Sequence, residues 1–205
     1  MTKGQLAQLG AKFLQVLPLE ADKDEVQAAI DNGNDPLWVG IVSRFAKKIE
    51  ATTKTVAEKV SSLFHITVNY GLSLKEMIAA GGYDWKNDDI TEARFPVPTG
   101  SPVELDTELI HFDYDISSEN VVAELDKKGY RPATIHELLA FGAKYPNKQR
   151  EFPIVALGSV AGVGGDRRVA YLDGGGDGRR LGLGWWVGGW SRSYRFLAVR
   201  KVSGS

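Results

Sequence analysis

Glycine is concentrated in one part of this chain: twelve of its 23 glycines lie between residues 158 and 189. Glycine weakens helices and strands but permits tight turns, so this stretch predicts short strands joined by glycine-rich loops. The apolar and β-branched runs around the glycines predict four strands, at residues 153–157, 167–172, 180–186 and 194–201. The run from Gly162 to Gly165 lacks the lysine of a phosphate-binding loop and predicts a turn.

The first 64 residues predict helices. Asn34 and Asp35 precede Pro36, which is the order expected where a helix begins. Apolar residues then recur at helical spacing and form one stripe: Leu37, Ile41, Phe45, Ile49, Val56, Val60 and Phe64. Lys47 belongs to the charged face that we expect to lie in water. We therefore divide the chain into a helical N-terminal segment, residues 1–64, and a second domain, residues 65–205.

The middle of the chain alternates between strand and helix signals. Residues 65–70 and 104–115 alternate apolar and polar side chains and predict strands. A short helix is predicted after Ser73, ending at Gly81 and Gly82, and another after Ser117 or Ser118, ending before Gly129. Thr134 and Glu137 have the spacing of a capping box and predict a third helix, whose Leu138, Leu139 and Phe141 point into a core. The pattern as a whole predicts an α+β fold.

Composition excludes several classes of protein. The chain has no cysteine, which excludes disulfides, thiolate metal sites and a cysteine nucleophile. A formal net charge of −1 provides no general attraction to nucleic acid or an anionic membrane, so we expect no nucleic-acid partner. We find no signal-peptide pattern at the N-terminus and no apolar run of about 18 residues. We expect a cytoplasmic protein without a membrane span, with display on a virion or a cell surface left open.

Two segments resemble formylglycine-generating-enzyme-like domains. The run Tyr130-Arg131-Pro132-Ala133-Thr134-Ile135-His136-Glu137 resembles a helix start in that family, with Pro132-Ala133 where the family has Leu-Pro. The tail Gly188-Gly189-Trp190-Ser191, followed by residues 194–200, resembles the family's closing strands. That superfamily uses the C-type lectin fold, so the resemblance implies a C-type-lectin-like domain with short C-terminal strands.

A second resemblance is to the variable proteins of diversity-generating retroelements. It is carried by residues 152–159, by Arg180-Leu181-Gly182-Leu183 and by the ending at residues 194–201, and it extends from about Tyr70 to the C-terminus. In such systems an error-prone reverse transcriptase rewrites adenines in a copy of the 3′ end of the gene. The resemblance implies a non-enzymatic ligand-binding protein with a variable region at about residues 167–193. Its unidentified ligand would be a protein or a surface component.

Residue usage in the tail agrees with that resemblance. Codons rewritten from AAC-like templates end in C or T and cannot encode Glu, Lys, Gln, Met or Trp. Residues 152–200 contain no Glu, Lys, Gln or Met, although residues 1–151 are rich in them. A tryptophan codon contains no adenine, so tryptophans would be fixed scaffold. We expect at least two of Trp185, Trp186 and Trp190 to be buried.

Strand alternation gives candidates for the ligand-binding positions. If Leu181 and Leu183 point into the core, the residues between them point to the opposite face. We expect Gly178 and Gly189 to serve in turns. The candidate variable positions, which we expect to face solvent, lie on two neighbouring strands, in the turn between them and in the last loop: Tyr171, Asp173, Gly174, Gly175, Gly176, Gly182, Gly184, Val187, Gly188, Ser191, Arg192 and Ser193.

Motifs for catalysis or metal binding are weak. Residues 173–178 resemble the start of a calcium loop, but Gly184 stands where such a loop has its bidentate glutamate. The three histidines, His65, His111 and His136, share no helical spacing. We expect His111 to be structural and His136 to be exposed in the first turn of its helix. The sequence therefore predicts no catalytic residue, metal or cofactor.

Two other functions remain open at this point. The chain could be a fixed structural or adhesion module with one constant partner, or a degenerate or metal-dependent enzyme of the same superfamily. The sequence leaves the oligomeric state open.

Overall fold

The computed structural model describes Lys47, residues 63–176 and residues 178–201. The chain divides into two compact units, residues 1–61 and 62–205. The predicted apolar stripe from Leu37 to Val60 lies outside the described residues, whereas Lys47 is helical and exposed, as predicted. Phe64 lies in a strand instead of a helix, so strand structure begins before the predicted boundary at residue 65.

The second unit is a mixed α+β structure built on one eight-stranded sheet. Four helices accompany the strands among the described residues. In chain order the elements are β1 Leu63–Val68, α1 Leu74–Gly81, β2 Trp85–Lys86, β3 Val103–His111, α2 Ser118–Lys127, β4 Tyr130–Pro132, α3 Ile135–Lys144, α4 Lys148–Glu151, β5 Ile154–Val163, β6 Asp166–Gly175, β7 Gly178–Trp185 and β8 Arg195–Arg200. No helix in the described part of the chain is long and apolar enough to cross a membrane.

The strand order in the sheet is β1-β3-β8-β5-β6-β7-β2, and β4 also pairs with β8. Strands β5, β6 and β7 form an antiparallel meander of two hairpins. The last strand, β8, lies between β3 and β5, antiparallel to β3 and parallel to β5. The C-terminal strand therefore joins the two halves of the sheet.

The three helix starts predicted within the second unit are confirmed, whereas the one predicted at Asn34 lies outside the described residues. Ser73 and Glu76 form a capping box at α1, and Thr134 and Glu137 form another at α3. At α2 the capping residue is Ser117, whose hydroxyl accepts a hydrogen bond from the amide of Asn120. Each cap satisfies amide groups that the first turn of a helix leaves unpaired. These three helices therefore begin where the sequence predicted, while the short α4 was not predicted.

The sheet is covered on two faces. On the α3 face, Leu138, Leu139 and Phe141 pack in one core with Leu172 and Leu181. On the α2 face, a second core contains residues of α2, the meander, the last loop and β8: Val121, Leu125, Val155, Val169, Trp186, Trp190 and Phe196. Strand alternation places consecutive residues of β6 on opposite faces, so this strand contributes Val169 to the second core and Leu172 to the first.

The strands differ from the prediction in length. Strand β3 ends at His111, not at Asp115, while β5 and β6 extend farther and meet at a tight turn through Gly164 and Gly165. Both glycines have positive φ, +60° and +89°, so this turn is confirmed. Gly162 lies within β5, because the antiparallel pairing continues almost to the end of the hairpin.

The prediction that His136 is exposed is wrong. Its side chain is buried, with 4% of its surface exposed, and its ring packs edge-on against Tyr70. The first turn of α3 is covered by the chain around Tyr70 and Phe95, which helical periodicity alone does not indicate. Burial lowers the pKa of His136 below its ordinary value.

Candidate ligand-binding surface

The candidate positions occupy three neighbouring parts of the second unit. Tyr171, Asp173, Gly182 and Gly184 lie on the α2 face of the β6–β7 hairpin. In register, Tyr171 is opposite Gly182 and Asp173 is opposite Arg180. The other candidates lie at the end of that hairpin, residues 174–176, and in the loop before β8, residues 187–193. We call these three parts together the hairpin–loop surface.

Strand alternation in β7 is confirmed, but one expectation of exposure is wrong. Leu181 and Leu183 are buried on the α3 face. Gly182 points to the opposite face and is nevertheless buried, because the ring of Tyr171 lies over it. A Cβ atom at Gly182 would lie 2.5 Å from that ring. Tyr171 is thus the group that this strand pair presents to solvent, and Gly182 makes room for it.

Gly184 has a similar role under a different ring. A Cβ atom there would lie 2.7 Å from the indole of Trp190. Since Trp190 is buried, the close approach of strand and indole requires a residue without a side chain at Gly184.

The end of the β6–β7 hairpin combines an ion pair with open backbone. Asp173 accepts two hydrogen bonds from the guanidinium of Arg180, at 3.0 and 2.7 Å. A Cβ atom at Gly174 would lie 3.2–3.3 Å from Arg150 and two carbonyl oxygens, whereas at Gly175 or Gly176 it would meet no neighbour within 4 Å. At the last two positions a side chain would begin in open space.

The loop before β8 presents small residues to solvent. Val187 is 77% exposed, and Gly188, Ser191, Arg192 and Ser193 are also exposed. Gly188 has φ of +112°, a conformation that other residues adopt only with strain. Gly178 and Gly189 also have positive φ, at +108° and +81°, which agrees with their predicted role in turns.

The loop is held from beneath through Trp190. Its backbone exchanges two hydrogen bonds with Ile116, at 3.0 and 2.8 Å. Its indole N–H donates to the Ser118 hydroxyl at 2.9 Å, and that hydroxyl donates to the carbonyl oxygen of Trp186 at 2.8 Å. Trp186 and Trp190 are buried whereas Trp185 is 53% exposed, so the prediction that at least two of the three are buried is confirmed.

Further contacts fix the edges of the surface. His111 Nε2 lies 2.8 Å from the carbonyl oxygen of Arg192, a structural contact of the predicted kind. The indole N–H of Trp186 donates to Glu119, and the guanidinium of Arg167 stacks 4.3 Å above the Trp186 ring. The Glu119 pKa is lowered, first by a backbone amide at the start of α2 and then by the Trp186 indole. Burial raises the pKa of Tyr171, and the negative charge of Asp173 adds to the effect.

The turn end of the hairpin is held by a buried arginine that the sequence pattern did not indicate. Arg179 donates to the carbonyl oxygens of Gly81 and Gly142, the latter at 2.6 Å, and to the side-chain oxygen of Gln149 at 2.9 Å. Gln149 in turn donates to the carbonyl oxygen of Asp173 at 2.6 Å. This network connects the hairpin with α1, α3 and α4. Its members lie up to 98 residues apart, so no local signal could have found it.

The three histidines lie apart. His65 contacts Asp106 near the edge of the sheet, His111 contacts the last loop and His136 lies in the α3 core. Within the described residues, no group of three or more His, Asp or Glu side chains is placed to hold a metal ion. Asp173, the first residue of the calcium-like run, is instead the partner of Arg180.

Comparison of the chain with protein-family models, with curated proteins and with solved structures finds no match in any of the three.

Proposed function

We propose that this chain is a non-enzymatic ligand-binding protein and that its hairpin–loop surface is diversified by a retroelement. The surface is borne on a C-type-lectin-like domain, and its ligand is a protein or a surface component. The positions that change are those among the twelve candidates from Tyr171 to Ser193 that have room for a new side chain. Gly182 and Gly184, covered by the rings of Tyr171 and Trp190, stay constant with the tryptophans and the core leucines of the same segment.

One observation carries this proposal: exposed small residues alternate with side chains that are locked in place. Gly175, Gly176, Ser191 and Ser193 are exposed, and the two glycines have open space where a side chain would begin. Directly beneath the loop, Trp190 is buried and hydrogen bonded to α2. Such a scaffold can accept new surface side chains without losing its core, which is what a diversified binding protein requires.

The composition and the fold support the same proposal. Residues 152–200 lack Glu, Lys, Gln and Met, as expected if many of their codons descend from AAC-like templates. The mixed α+β architecture, with a meander and a central C-terminal strand, is compatible with a C-type-lectin-like domain.

The test is the DNA that flanks the gene. We expect a nearby reverse-transcriptase gene and a second copy of the segment that encodes residues 167–193. The two copies should differ where the template has adenine, at codons of exposed candidates such as Ser191 and Gly175. The codons of Leu181 and Trp190 serve as internal controls and should be identical. A locus without such a repeat would overturn the retroelement proposal.

Sequencing the same locus in sibling isolates gives a second readout. Tails that differ only at the candidate positions would support diversification. Identical tails would favour a fixed adhesion module with one constant partner.

A further inference from the structure

One exposed tryptophan beside the hairpin–loop surface comes from a distant part of the chain. Strand β2 consists of Trp85 and Lys86 only and pairs in parallel with β7, where Trp85 is in register with Arg180. Residues in register on neighbouring strands project to the same face. Trp85 therefore lies on the α2 face of the sheet, in one row with Arg180 and Asp173.

The position of Trp85 is fixed by its neighbours. The amide of Asp84 donates to the carbonyl oxygen of Arg179, and the amide of Asn87 donates to that of Leu181, each at 2.9 Å. The carboxylate of Asp84 also accepts a hydrogen bond from the Arg179 amide at 2.7 Å. The backbone on both sides of Trp85 is thus tied to β7, while its side chain remains 50% exposed.

Burial and chemistry make this row suited to protein recognition. Trp85, Arg180 and Tyr171 on the next row are of the three residue types that are enriched among the residues contributing most to binding in protein interfaces. A half-exposed tryptophan on a fixed backbone loses little conformational entropy when a partner covers it. The row crosses three strands, about 10 Å.

The shape of the surface favours a folded protein over a small molecule. Small ligands bind in concave pockets. Two cavities of the described part of the chain, of about 610 and 430 Å³, are lined mainly by residues of β1, β3, α1 and α3, and none of their lining residues belongs to the hairpin–loop surface. That surface is instead a sheet face, a hairpin end and a loop, all of which a second protein can contact at once.

We infer that Trp85 is a constant anchor of the binding surface and that the ligand is a folded protein seated across β2, β7 and β6. This inference rests on the proposed binding function and adds a residue to it. Trp85 lies outside residues 167–193, so rewriting of that segment leaves it unchanged. Each new set of variable side chains then binds beside the same aromatic group.

The experiment uses the full chain as a display library. Five positions are randomised (Gly175, Gly176, Val187, Ser191 and Ser193), and binders are selected against two monomeric proteins, lysozyme and ubiquitin. Trp85→Ala is then introduced into each selected binder. We expect the Kd to rise tenfold or more, because the anchor is lost, and we expect Trp85→Phe to retain part of the affinity.

Trp185 is the matched control. It lies on the neighbouring strand β7 with nearly the same exposure, 53%, but strand alternation places it on the α3 face with Leu183. Trp185→Ala should change the Kd less than threefold. Equal effects of Trp85→Ala and Trp185→Ala, or no effect of either, would overturn the role of Trp85 while leaving the binding function intact. If the library yields no binders, the binding surface itself is wrong, and the anchor with it.

Oxidative footprinting gives a readout that needs no substitution at Trp85. In the selected complexes we expect Trp85 to be protected from hydroxyl radicals and Trp185 to remain reactive. Full reactivity of Trp85 in every complex would contradict the inference even if Trp85→Ala failed to fold.

Discussion

Tyr171 on β6 lies opposite Gly182 on β7, and its ring occupies the space that a side chain at position 182 would need. We expect Gly182→Ala to lower the free energy of unfolding by about 1–3 kcal/mol, because its methyl group forces the ring of Tyr171 to move. In a Tyr171→Ala background the same change should cost almost nothing, since the ring is gone. Urea denaturation of the four chains of this double-mutant cycle measures the coupling. Additive effects would contradict the contact, and positions 171 and 182 would then vary independently.

His136 gives the protein a predictable response to acid. Burial lowers its pKa more than the nearby Phe95 carbonyl and Glu137 raise it, so the folded chain binds a proton less readily than the unfolded chain, whose histidine titrates near 6.5. Stability is therefore unaffected by His136 above about pH 6.5 and falls as the pH drops below that value. The loss amounts to about 1.4 kcal/mol for each tenfold difference in proton affinity between the two states.

Urea denaturation at pH 5.5 and pH 7.5 tests this response. In His136→Phe the difference in unfolding free energy between the two pH values should be smaller than in the wild type. His111→Gln, which alters an exposed histidine, should leave the His136 contribution in place. An unchanged pH dependence in His136→Phe would show that His136 does not titrate differently in the two states.

At the scale of elements, β5 crosses the start of α3 at one glycine. A Cβ atom at Gly158 would lie 2.7 Å from the carbonyl oxygen of Ala133, and the Gly158 amide donates to that same oxygen at 2.8 Å. Gly158→Ala should therefore lower the free energy of unfolding by about 1–3 kcal/mol, because the new methyl group would collide with the backbone carbonyl of Ala133. Gly162→Ala is the control in the same strand, because its side chain would meet no neighbour within 4 Å. Thermal unfolding that ranks the two variants equally would contradict the close approach.

Two neighbouring serines at the start of helix α2 have different roles, and only one of them bonds to the last loop. Ser118 links the Trp190 indole to the Trp186 carbonyl inside the core, whereas Ser117 caps the helix at its surface. Ser118→Ala should cost about 1–3 kcal/mol, because a buried indole N–H loses its acceptor. Ser117→Ala should cost about 1 kcal/mol through the lost cap. The distinguishing measurement is hydrogen exchange of the Trp190 indole, which should accelerate in Ser118→Ala only; acceleration in both would mean that helix fraying releases the loop.

The elements that the sequence predicted correctly are those with local causes. The capping boxes at Ser73 and Thr134, and the alternation around Leu181, depend on residues within a few positions of one another. The burial of His136 and Gly182 depends instead on segments brought together by the fold. Periodicity shows on which face of a helix or strand a residue lies, and only the fold determines which other segments cover that face.

At the scale of the molecule, the candidate surface could be predicted in part. Strand alternation identified the side of β7 that carries it, and glycine clustering identified its loops. The roles of Trp85 and Arg179 could not be predicted. Trp85 pairs with the hairpin at Arg180, and Arg179 links the hairpin to Gly81 and Gly142, so these contacts join segments that lie roughly 40 to 100 residues apart in the chain. The surface therefore depends on the whole sheet, although most of its variable positions are local.

The separation of a changeable surface from a fixed scaffold makes a prediction about the whole molecule. Simultaneous replacement of Gly175, Gly176, Ser191 and Ser193 by Asn or Tyr should change the free energy of unfolding by about 1–2 kcal/mol at most, because exposed positions without tight neighbours each contribute little. A single Trp190→Ala should cost about 3–5 kcal/mol, since it removes a buried ring and its hydrogen bond. Urea denaturation of the two chains makes the comparison. A fourfold surface variant less stable than Trp190→Ala would mean that these loops are part of the scaffold, and a diversified surface could not be built on them.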